Sequence, residues 1–162
     1  MQNFDAAALV ALLAKQNLTV STAESCTGGL VASAIVDVPG ASAVFPGGAV
    51  TYASSVKTAL LGVSEELIRE RGVVSRDVAA AMAEGARRRF GTDLAVSTTG
   101  IAGPDGGTPE APVGRVFIGV AIDGKTVVFR EDLPGDREAV RQAAAKKAIR
   151  SLCACLTDIT NE

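Results

Sequence analysis

The stretch LTVSTAESCTGGLVASAIV, residues 18–36, decides the fold class of this chain. Leu18 to Ser21 predicts a buried strand, and the apolar spacing of Leu30 to Val36 predicts a helix. The turn between them is rich in glycine, which is typical of a tight connection from a strand to a helix. Such a strand–turn–helix unit is characteristic of α/β domains.

The rest of the chain continues this alternation of helices and strands. The predicted helices begin at polar caps or end at glycine or proline. They run from Asp5 to about Gln16, from Leu30 to Val36 before Pro39-Gly40, from Ser54 to Leu61 before Gly62, from the capping signature Ser64-Glu65-Glu66-Leu67, from Ser75 to Phe90 before Gly91, and from about Asp136 towards Leu156.

The predicted strands run from Leu18 to Ser21, Gly48 to Ala53, Leu94 to Thr98, Val116 to Ile122 and Thr126 to Glu131. Asp123-Gly124 suits the positive φ angles of a type I′ turn, so the last two strands form an antiparallel hairpin. We therefore predict an α/β fold: a single three-layer α/β/α domain over residues 1–162, with a mixed β-sheet that contains this C-terminal hairpin.

Composition and charge exclude several classes of protein. The chain has 162 residues, 48% of them apolar, and a net charge of only -2, so it has a core but no basic surface for nucleic acid. Arg87-Arg88-Arg89 closes a predicted helix, where cations favour the helix dipole, an anion site being the alternative. Met1-Gln2-Asn3-Phe4 does not begin a signal peptide, and no segment is apolar for the length of a membrane span. We therefore expect a cytoplasmic protein with no membrane partner.

The three cysteines do not predict a structural framework. Cys26, Cys153 and Cys155 are odd in number and lack a C-x-x-C spacing, which argues against disulfides and against a zinc site. Cys153 and Cys155 are expected to fill the core. We expect no metal and no cofactor.

Histidine is absent from the whole chain, which restricts its chemistry. Imidazole is the only side chain whose unperturbed pKa lies between pH 5 and 8. Hydrolases with a serine–histidine or cysteine–histidine pair are therefore excluded. A serine nucleophile here needs a lysine, a carboxylate, a tyrosine or the N-terminal amine as its base.

Three loops are expected to meet at the carboxyl ends of the strands, where open α/β sheets bind ligands. They follow Ser21, span Tyr52 to Lys57, and span Thr98 to Pro112. The third contains four glycines and two prolines within residues 100–109, which is incompatible with helix or sheet. Each glycine-rich loop has a purely structural alternative.

Ser25 is the candidate nucleophile in the first loop. The alternative is a helix N-cap, the usual role of a serine at the start of a helix. Gly28-Gly29 frees the backbone to approach a ligand, and amides of such a turn bind phosphates or oxyanions. The stretch matches no general phosphate-binding or hydrolase motif.

Lys57 is the candidate base, because it alone of the five lysines lies near a strand end. Apolar neighbours desolvate a lysine, which lowers its pKa and supplies a neutral amine. The alternative is a lysine that extends from an amphipathic helix into solvent.

Three further side chains have more than one interpretation each. Cys26 is either a second nucleophile or a packed small residue. Glu24 binds a cation, orients Lys57, or favours a helix N-terminus as a negative charge. Arg137 is either a bidentate phosphate ligand or a member of a surface ion pair.

Five motifs in order resemble the CinA C-terminal domain family. They are Ala23-Glu24-Ser25-Cys26-Thr27-Gly28-Gly29, Gly47-Gly48-Ala49-Val50-Thr51-Tyr52, Lys57-Thr58-Ala59-Leu60-Leu61-Gly62-Val63, Gly72-Val73-Val74-Ser75 and Thr99-Gly100-Ile101-Ala102-Gly103-Pro104-Asp105-Gly106-Gly107. The similarity runs from about residue 5 to about residue 157. The chain departs from the family pattern at Ser54, where asparagine is frequent, and at Arg115, where a smaller residue is common.

The resemblance implies a nicotinamide-nucleotide amidase that converts nicotinamide mononucleotide to nicotinate mononucleotide and ammonia in pyridine-nucleotide salvage. It implies a metal-free mechanism with Ser25 as nucleophile, Lys57 as base and Tyr52 beside them, in a homodimer or higher homo-oligomer. The implied substrate-binding residues are Glu24, Cys26, Thr27, Gly28, Gly29, Thr99, Gly100, Ile101, Ala102, Gly103 and Arg137. Two alternatives stay open: an inactive nucleotide-binding regulatory module, and an amidase for a different amide.

Overall fold

The computed structural model describes residues 5–159, with Ile159 described by its backbone alone. The opening Met1-Gln2-Asn3-Phe4 and residues 160–162 lie outside the described residues. The helices are α1 (Ala6–Gln16), α2 (Leu30–Val36), α3 (Ser54–Leu61), α4 (Glu65–Arg71), α5 (Arg76–Phe90) and α6 (Arg137–Ile159), with a 3-10 turn at Ala41–Ala43. The strands are β1 (Val20–Glu24), β2 (Gly47–Val50), β3 (Leu94–Gly100), β4 (Arg115–Ile122) and β5 (Lys125–Asp132).

The five strands form one mixed sheet in the order β2-β1-β3-β4-β5. Strand β1 runs parallel to both β2 and β3, whereas β4 is antiparallel to β3 and to β5. Helices α1, α2 and α6 cover one face of the sheet, and α3, α4 and α5 cover the other. The predicted α/β class, the three layers and the C-terminal hairpin are confirmed.

The three predicted helix caps are confirmed. They could be predicted because a cap depends only on neighbouring residues. The side chains of Asp5, Ser64 and Ser75 accept hydrogen bonds from backbone amides three residues later, at 2.9, 3.2 and 3.2 Å. The three consecutive arginines lie in the last turn of α5, as expected. Cys153 and Cys155 are buried in the core beside α1 and α2.

Four predicted boundaries are wrong. Strand β1 lies at Val20–Glu24, not residues 18–21, because the sheet continues through polar side chains that are buried rather than excluded. Strand β2 ends at Val50, so the segment 51–53 is a turn. Strand β3 continues through Gly100, which pairs with Val116, so the first residue of the glycine-rich stretch is in the sheet. Helix α6 extends past residue 156 to Ile159.

No helix within residues 5–159 is both long enough and apolar enough to cross a membrane.

Candidate active site

The candidate site lies at the carboxyl ends of β1 and β3, where the three predicted loops meet. It is an open cavity of about 180 Å³. Nine predicted site residues line it: Ser25, Cys26, Tyr52, Lys57, Thr99, Gly100, Ile101, Ala102 and Arg137. Three residues that the sequence did not predict also line it: Ser54, Val73 and Val74.

The centre of the site is a contact between Ser25 and Lys57. Lys57 Nζ lies 3.0 Å from Ser25 Oγ. The same Nζ lies 2.6 Å from the carbonyl oxygen of Thr51 and 3.1 Å from that of Tyr52. Lys57 occupies the first turn of α3, and side chains of a helix lean towards its N-terminus, so the amine reaches the carbonyls that precede the helix.

The environment of Lys57 destabilises its charged form. Its side chain is fully buried, with 0% relative exposure, and this burial lowers its pKa from 10.5 to about 8. A neutral amine has two N–H groups and one lone pair. As an ammonium, Lys57 donates its three N–H groups to Ser25 Oγ and to the carbonyls of Thr51 and Tyr52. After loss of one proton, the two remaining N–H groups can stay on the carbonyls, which leaves the lone pair for the hydroxyl proton of Ser25. The interpretation of Lys57 as a solvent-exposed lysine is wrong.

Ser25 is not the N-cap of α2. That position is held by Gly29, whose φ of 101° lies in the left-handed region that favours glycine. The Ser25 amide instead donates to the carbonyl of Thr98, which fixes the turn to the end of β3. The Ser25 hydroxyl is therefore free to face the cavity, and the capping interpretation is wrong.

Glu24 lies beneath the turn rather than in the cavity. Its carboxylate accepts hydrogen bonds from the hydroxyl of Thr27 at 2.6 Å and from the amides of Gly29, Val31 and Ala32 at 3.0, 3.0 and 2.9 Å. Only 1% of the residue is exposed. Its role as a negative charge at a helix N-terminus is confirmed. No hydrogen bond or ion pair joins Glu24 to Lys57, whose Nζ contacts Ser25 Oγ and the carbonyls of Thr51 and Tyr52.

The structure places Thr27, Gly28 and Gly29 behind the cavity wall as well. The Gly28 amide donates to the carbonyl of Ser25, and the Gly29 amide donates to Glu24. Both glycine amides are therefore already hydrogen-bonded within the turn. The Thr27 hydroxyl bonds Glu24 and Thr98. The Thr27 side chain and the two glycine amides thus hold the shape of the turn.

Cys26 lines the cavity but is not a nucleophile. It is 4% exposed, and burial raises the pKa of its thiol to about 11. A thiol with such a pKa is protonated at neutral pH and unreactive. The interpretation of Cys26 as a packed small residue is the one that the structure supports.

Arg137 crosses the mouth of the cavity. Its Nη1 donates to the carbonyl of Gly103 at 2.8 Å, and its Nη2 donates to the hydroxyl of Tyr52 at 3.0 Å. Gly103 is thus brought to the rim without lining the cavity. Within residues 5–159, no carboxylate pairs with Arg137, so the surface ion pair is wrong. Its charge is available to an anion.

The two departures from the family pattern lie in different places. Ser54 lines the cavity, next to the loop that carries Tyr52. Arg115 instead forms a bidentate pair with Asp132, at 2.8 and 3.2 Å, and does not line the cavity. Of the two, only Ser54 contacts the space that a substrate would occupy.

Sequence reasoning missed two sets of residues around the turn and the cavity. Val73 and Val74 form part of the cavity wall, and they belong to a quoted motif that carried no assigned role. Arg141 donates to the carbonyls of Cys26 and Thr27. The signal for Arg141 was its spacing of four residues from Arg137, which places both on one face of α6.

No group of three or more cysteine, aspartate or glutamate side chains in residues 5–159 is arranged to hold a metal ion.

The chain is similar to a known protein family and to several curated proteins. The description "CinA C-terminal domain" belongs to the family profile that matches residues 3–156. A CinA-like protein of Kosmotoga olearia is 51% identical over 141 residues, covering 87% of this chain and 34% of the relative. A protein of Symbiobacterium thermophilum named as competence-damage inducible is 54% identical over 147 residues, covering 85% of this chain and 34% of that protein. The chain spans about a third of the length of the curated relatives it matches.

Solved structures share the same architecture. The competence/damage inducible protein CihA from Agrobacterium tumefaciens is similar with a TM-score of 0.90 and 39% identity, over 94% of this chain and 93% of that one. A competence-damaged protein (CinA) superfamily member from Klebsiella pneumoniae gives a TM-score of 0.92 and 30% identity, over 97% and 99% of the two chains.

Proposed function

The chain belongs to the CinA C-terminal domain family, and from this premise we propose that it is a cytoplasmic nicotinamide-nucleotide amidase. The proposed reaction converts nicotinamide mononucleotide and water to nicotinate mononucleotide and ammonia. The observation that carries the proposal is the 3.0 Å contact between the buried Lys57 amine and the Ser25 hydroxyl at the base of the cavity. In a chain without histidine, this pair supplies both a nucleophile and a base.

The proposed mechanism begins with a proton transfer. The neutral amine of Lys57 accepts the hydroxyl proton of Ser25 as its oxygen attacks the carboxamide carbon. The resulting ammonium of Lys57 returns this proton to the amide nitrogen, and ammonia leaves as the acyl-serine ester forms. Water then enters, and Lys57 accepts one of its protons as its oxygen attacks the ester carbon. The bond between this carbon and Ser25 Oγ breaks, Lys57 returns the proton to Oγ, and the carboxylic acid leaves.

The proposed oxyanion donors are amides at the start of the turn. The amides of Gly28 and Gly29 are occupied, whereas those of Cys26 and Thr27 donate to no acceptor among residues 5–159. An amide that directly follows the nucleophile is a common oxyanion donor. We therefore assign the role to the backbone of Cys26 and Thr27. The loss of one such donor typically costs about 10²–10³ in rate.

The small volume of the cavity supports a ligand of which only one part lies inside it. Its volume of about 180 Å³ is smaller than the range of about 300–1,000 Å³ that is usual for small-molecule sites. Val73, Val74 and Ile101 supply apolar walls for a flat ring, with its carboxamide at Ser25. The ribose and phosphate would then lie at the mouth, where Arg137 has no carboxylate partner among the described residues.

The decisive test is ammonia release from a small panel of amides by the purified chain. We expect turnover of nicotinamide mononucleotide, and a loss of most of kcat/KM with nicotinamide, because the missing ribose phosphate removes binding energy. Equal kcat/KM for the two compounds would instead indicate an amidase for a different amide. Calorimetric binding of the mononucleotide with no ammonia after prolonged incubation would indicate a regulatory module.

The oligomeric state is part of the proposal. The resemblance to the family supports a homodimer or a higher homo-oligomer. Light scattering on the purified chain tests this point, and a monomer at micromolar concentration would contradict it.

A further inference from the structure

Helix α6 places Arg141 against the turn that carries Ser25. Its Nε donates to the carbonyl of Cys26 and its Nη2 to the carbonyl of Thr27, both at 3.0 Å. Hydrogen bonds from a charged donor are stronger than neutral ones, and a guanidinium holds two acceptors in a fixed relative geometry. One side chain therefore fixes the two peptide groups that follow the nucleophile.

Arg141 has no other described partner that explains its position. No carboxylate forms a salt bridge with it within residues 5–159. A Cβ atom on Gly28 would lie 3.1 Å from Arg141 Nη2, and Gly28 has a φ of 60°. The backbone at position 28 is left-handed, and a side chain there would crowd the guanidinium. Both conditions favour glycine at this position.

Glu24 holds the same turn by its amides. It accepts hydrogen bonds from the N–H groups of Gly29, Val31 and Ala32, whereas Arg141 donates hydrogen bonds to the carbonyls of Cys26 and Thr27. A buried anion and a half-buried cation thus hold opposite kinds of backbone groups in one short turn.

The carbonyl contacts also set the direction of the free amides. In a trans peptide the C=O of one residue and the N–H of the next point in opposite directions. Because the Cys26 carbonyl points at Arg141, the Thr27 amide points away from it. Rotation of this peptide would move both the amide and the backbone next to Ser25.

We propose that Arg141 is a positioning residue, which acts through the backbone of Cys26 and Thr27 to hold Ser25 and the adjacent amides in their reactive arrangement. Its effect on turnover rests on the proposed amidase function, whereas its effect on the turn does not. The guanidinium does not contact Ser25 Oγ, and Arg141 does not itself line the cavity.

The first experiment measures the turn without a substrate. Hydrogen–deuterium exchange is compared between the wild type, Arg141→Ala, Arg141→Lys and the control Arg150→Ala, an exposed arginine on the same helix. We expect the hydrogen-bonded amides of Gly28 and Gly29 to exchange at least tenfold faster in Arg141→Ala, with the control unchanged. Unaltered exchange at these amides would overturn the proposal. If Arg141→Ala does not fold, Arg141→Lys gives the comparison.

The second experiment measures ammonia release from nicotinamide mononucleotide. We expect Arg141→Ala to lower kcat about 10²-fold, the scale of a misplacement near 1 Å, with KM changed less than threefold. Arg141→Lys should lose about tenfold, since an ammonium lacks the fixed fork that holds both carbonyls. Added guanidinium should restore part of kcat in Arg141→Ala but not in Ser25→Ala. A kcat for Arg141→Ala within twofold of the wild type would overturn the proposal.

The two proposals fail in different ways. If the wild type releases no ammonia, the amidase function is refuted, and the exchange experiment still decides whether Arg141 holds the turn. If the wild type is active and Arg141→Ala differs from it only in KM, Arg141 is not a positioning residue for catalysis.

Discussion

Lys57 approaches Ser25 from the first turn of α3 with its amine already held by two backbone carbonyls. Nζ lies 2.6 and 3.1 Å from the oxygens of Thr51 and Tyr52, and 3.0 Å from Ser25 Oγ. The amine is therefore oriented before any substrate binds. Because both carbonyls are backbone atoms, substitution of a neighbouring side chain does not remove this orientation.

The first prediction concerns the two members of this pair. Ser25→Ala and Lys57→Met should each lower ammonia release from nicotinamide mononucleotide by about 10³-fold or more, because a nucleophile and its base act as a unit. Ser55→Ala, an exposed serine on the same helix, is the matched control and should retain activity. Circular dichroism and denaturant unfolding check that each variant is folded. Turnover of either variant near the wild-type rate would refute the pair.

The second prediction is the pH dependence of the reaction. Burial lowers the pKa of Lys57 to about 8, so only about a tenth of the molecules carry the neutral amine at pH 7. We expect kcat/KM to rise about tenfold per pH unit up to about pH 8 and then to level off. Initial rates between pH 6 and 9.5 measure this limb. A profile that is flat between pH 6 and 9 would exclude Lys57 as the titrating base.

The third prediction links the same pKa to stability. The folded-state pKa of Lys57, about 8, lies below its unfolded value of 10.5, so between these values the unfolded chain binds more protons at this residue. Stability from Lys57 therefore rises with pH across this window. We expect the difference in free energy of unfolding between the wild type and Lys57→Met to move by about 2–3 kcal/mol in favour of the wild type from pH 7 to pH 10.

The comparison with Lys57→Met removes the effect of the buried cysteines. Burial raises the pKa of Cys26 and Cys153 to about 11, which lowers stability as the pH rises from 9. Both thiols are present in both proteins, so the contribution of Cys153 cancels. Most of that of Cys26 cancels too, because burial is the largest cause of its raised pKa and the charge of Lys57 a smaller one. Urea unfolding at several pH values gives the difference, and its independence of pH would contradict the lowered pKa.

Elements that depend on neighbouring residues were predictable from the sequence. The caps at Asp5, Ser64 and Ser75 follow from contacts three residues away, and the hairpin turn follows from Asp123-Gly124. The limits of β1 were not predictable, because polar side chains ended the apolar pattern. Their burial depends on distant partners such as Thr92, whose hydroxyl lies 2.8 Å from that of Ser21.

The residues of the site also divide into those that the sequence predicted and those that it did not. Lys57 was found by elimination, because the chain has only five lysines and one of them is near a strand end. Arg141 could not be found in this way, since its partners are backbone carbonyls that lie 114 and 115 positions away in the sequence. Every residue has a backbone carbonyl, so the residue type does not indicate which carbonyl accepts a hydrogen bond. The role of Glu24 was left open for a related reason, as three of its four donors are amides.

The fourth prediction concerns Arg137 at the mouth of the cavity. Arg137→Ala should raise KM for nicotinamide mononucleotide by about 10–100-fold and leave the slow turnover of nicotinamide unchanged, because a charge-assisted bond is worth about 1.5–3 kcal/mol. Tyr52→Phe should raise KM less, since it removes the hydroxyl that accepts from Arg137 at 3.0 Å. Arg150→Ala is the control. Equal loss of activity on both substrates would show that Arg137 does not bind the phosphate.

The fifth prediction concerns Glu24, whose carboxylate accepts four hydrogen bonds beneath the nucleophile turn. Glu24→Gln keeps the volume but replaces one acceptor oxygen with an NH₂ group, which then faces backbone N–H donors. We expect a loss of about 2–4 kcal/mol in the free energy of unfolding, because at least one buried donor loses its acceptor. Glu138→Gln, an exposed glutamate on α6, should change stability by less than about 0.5 kcal/mol. Denaturant unfolding of the two variants measures the contrast, and equal stabilities would mean that the carboxylate charge does not hold the turn.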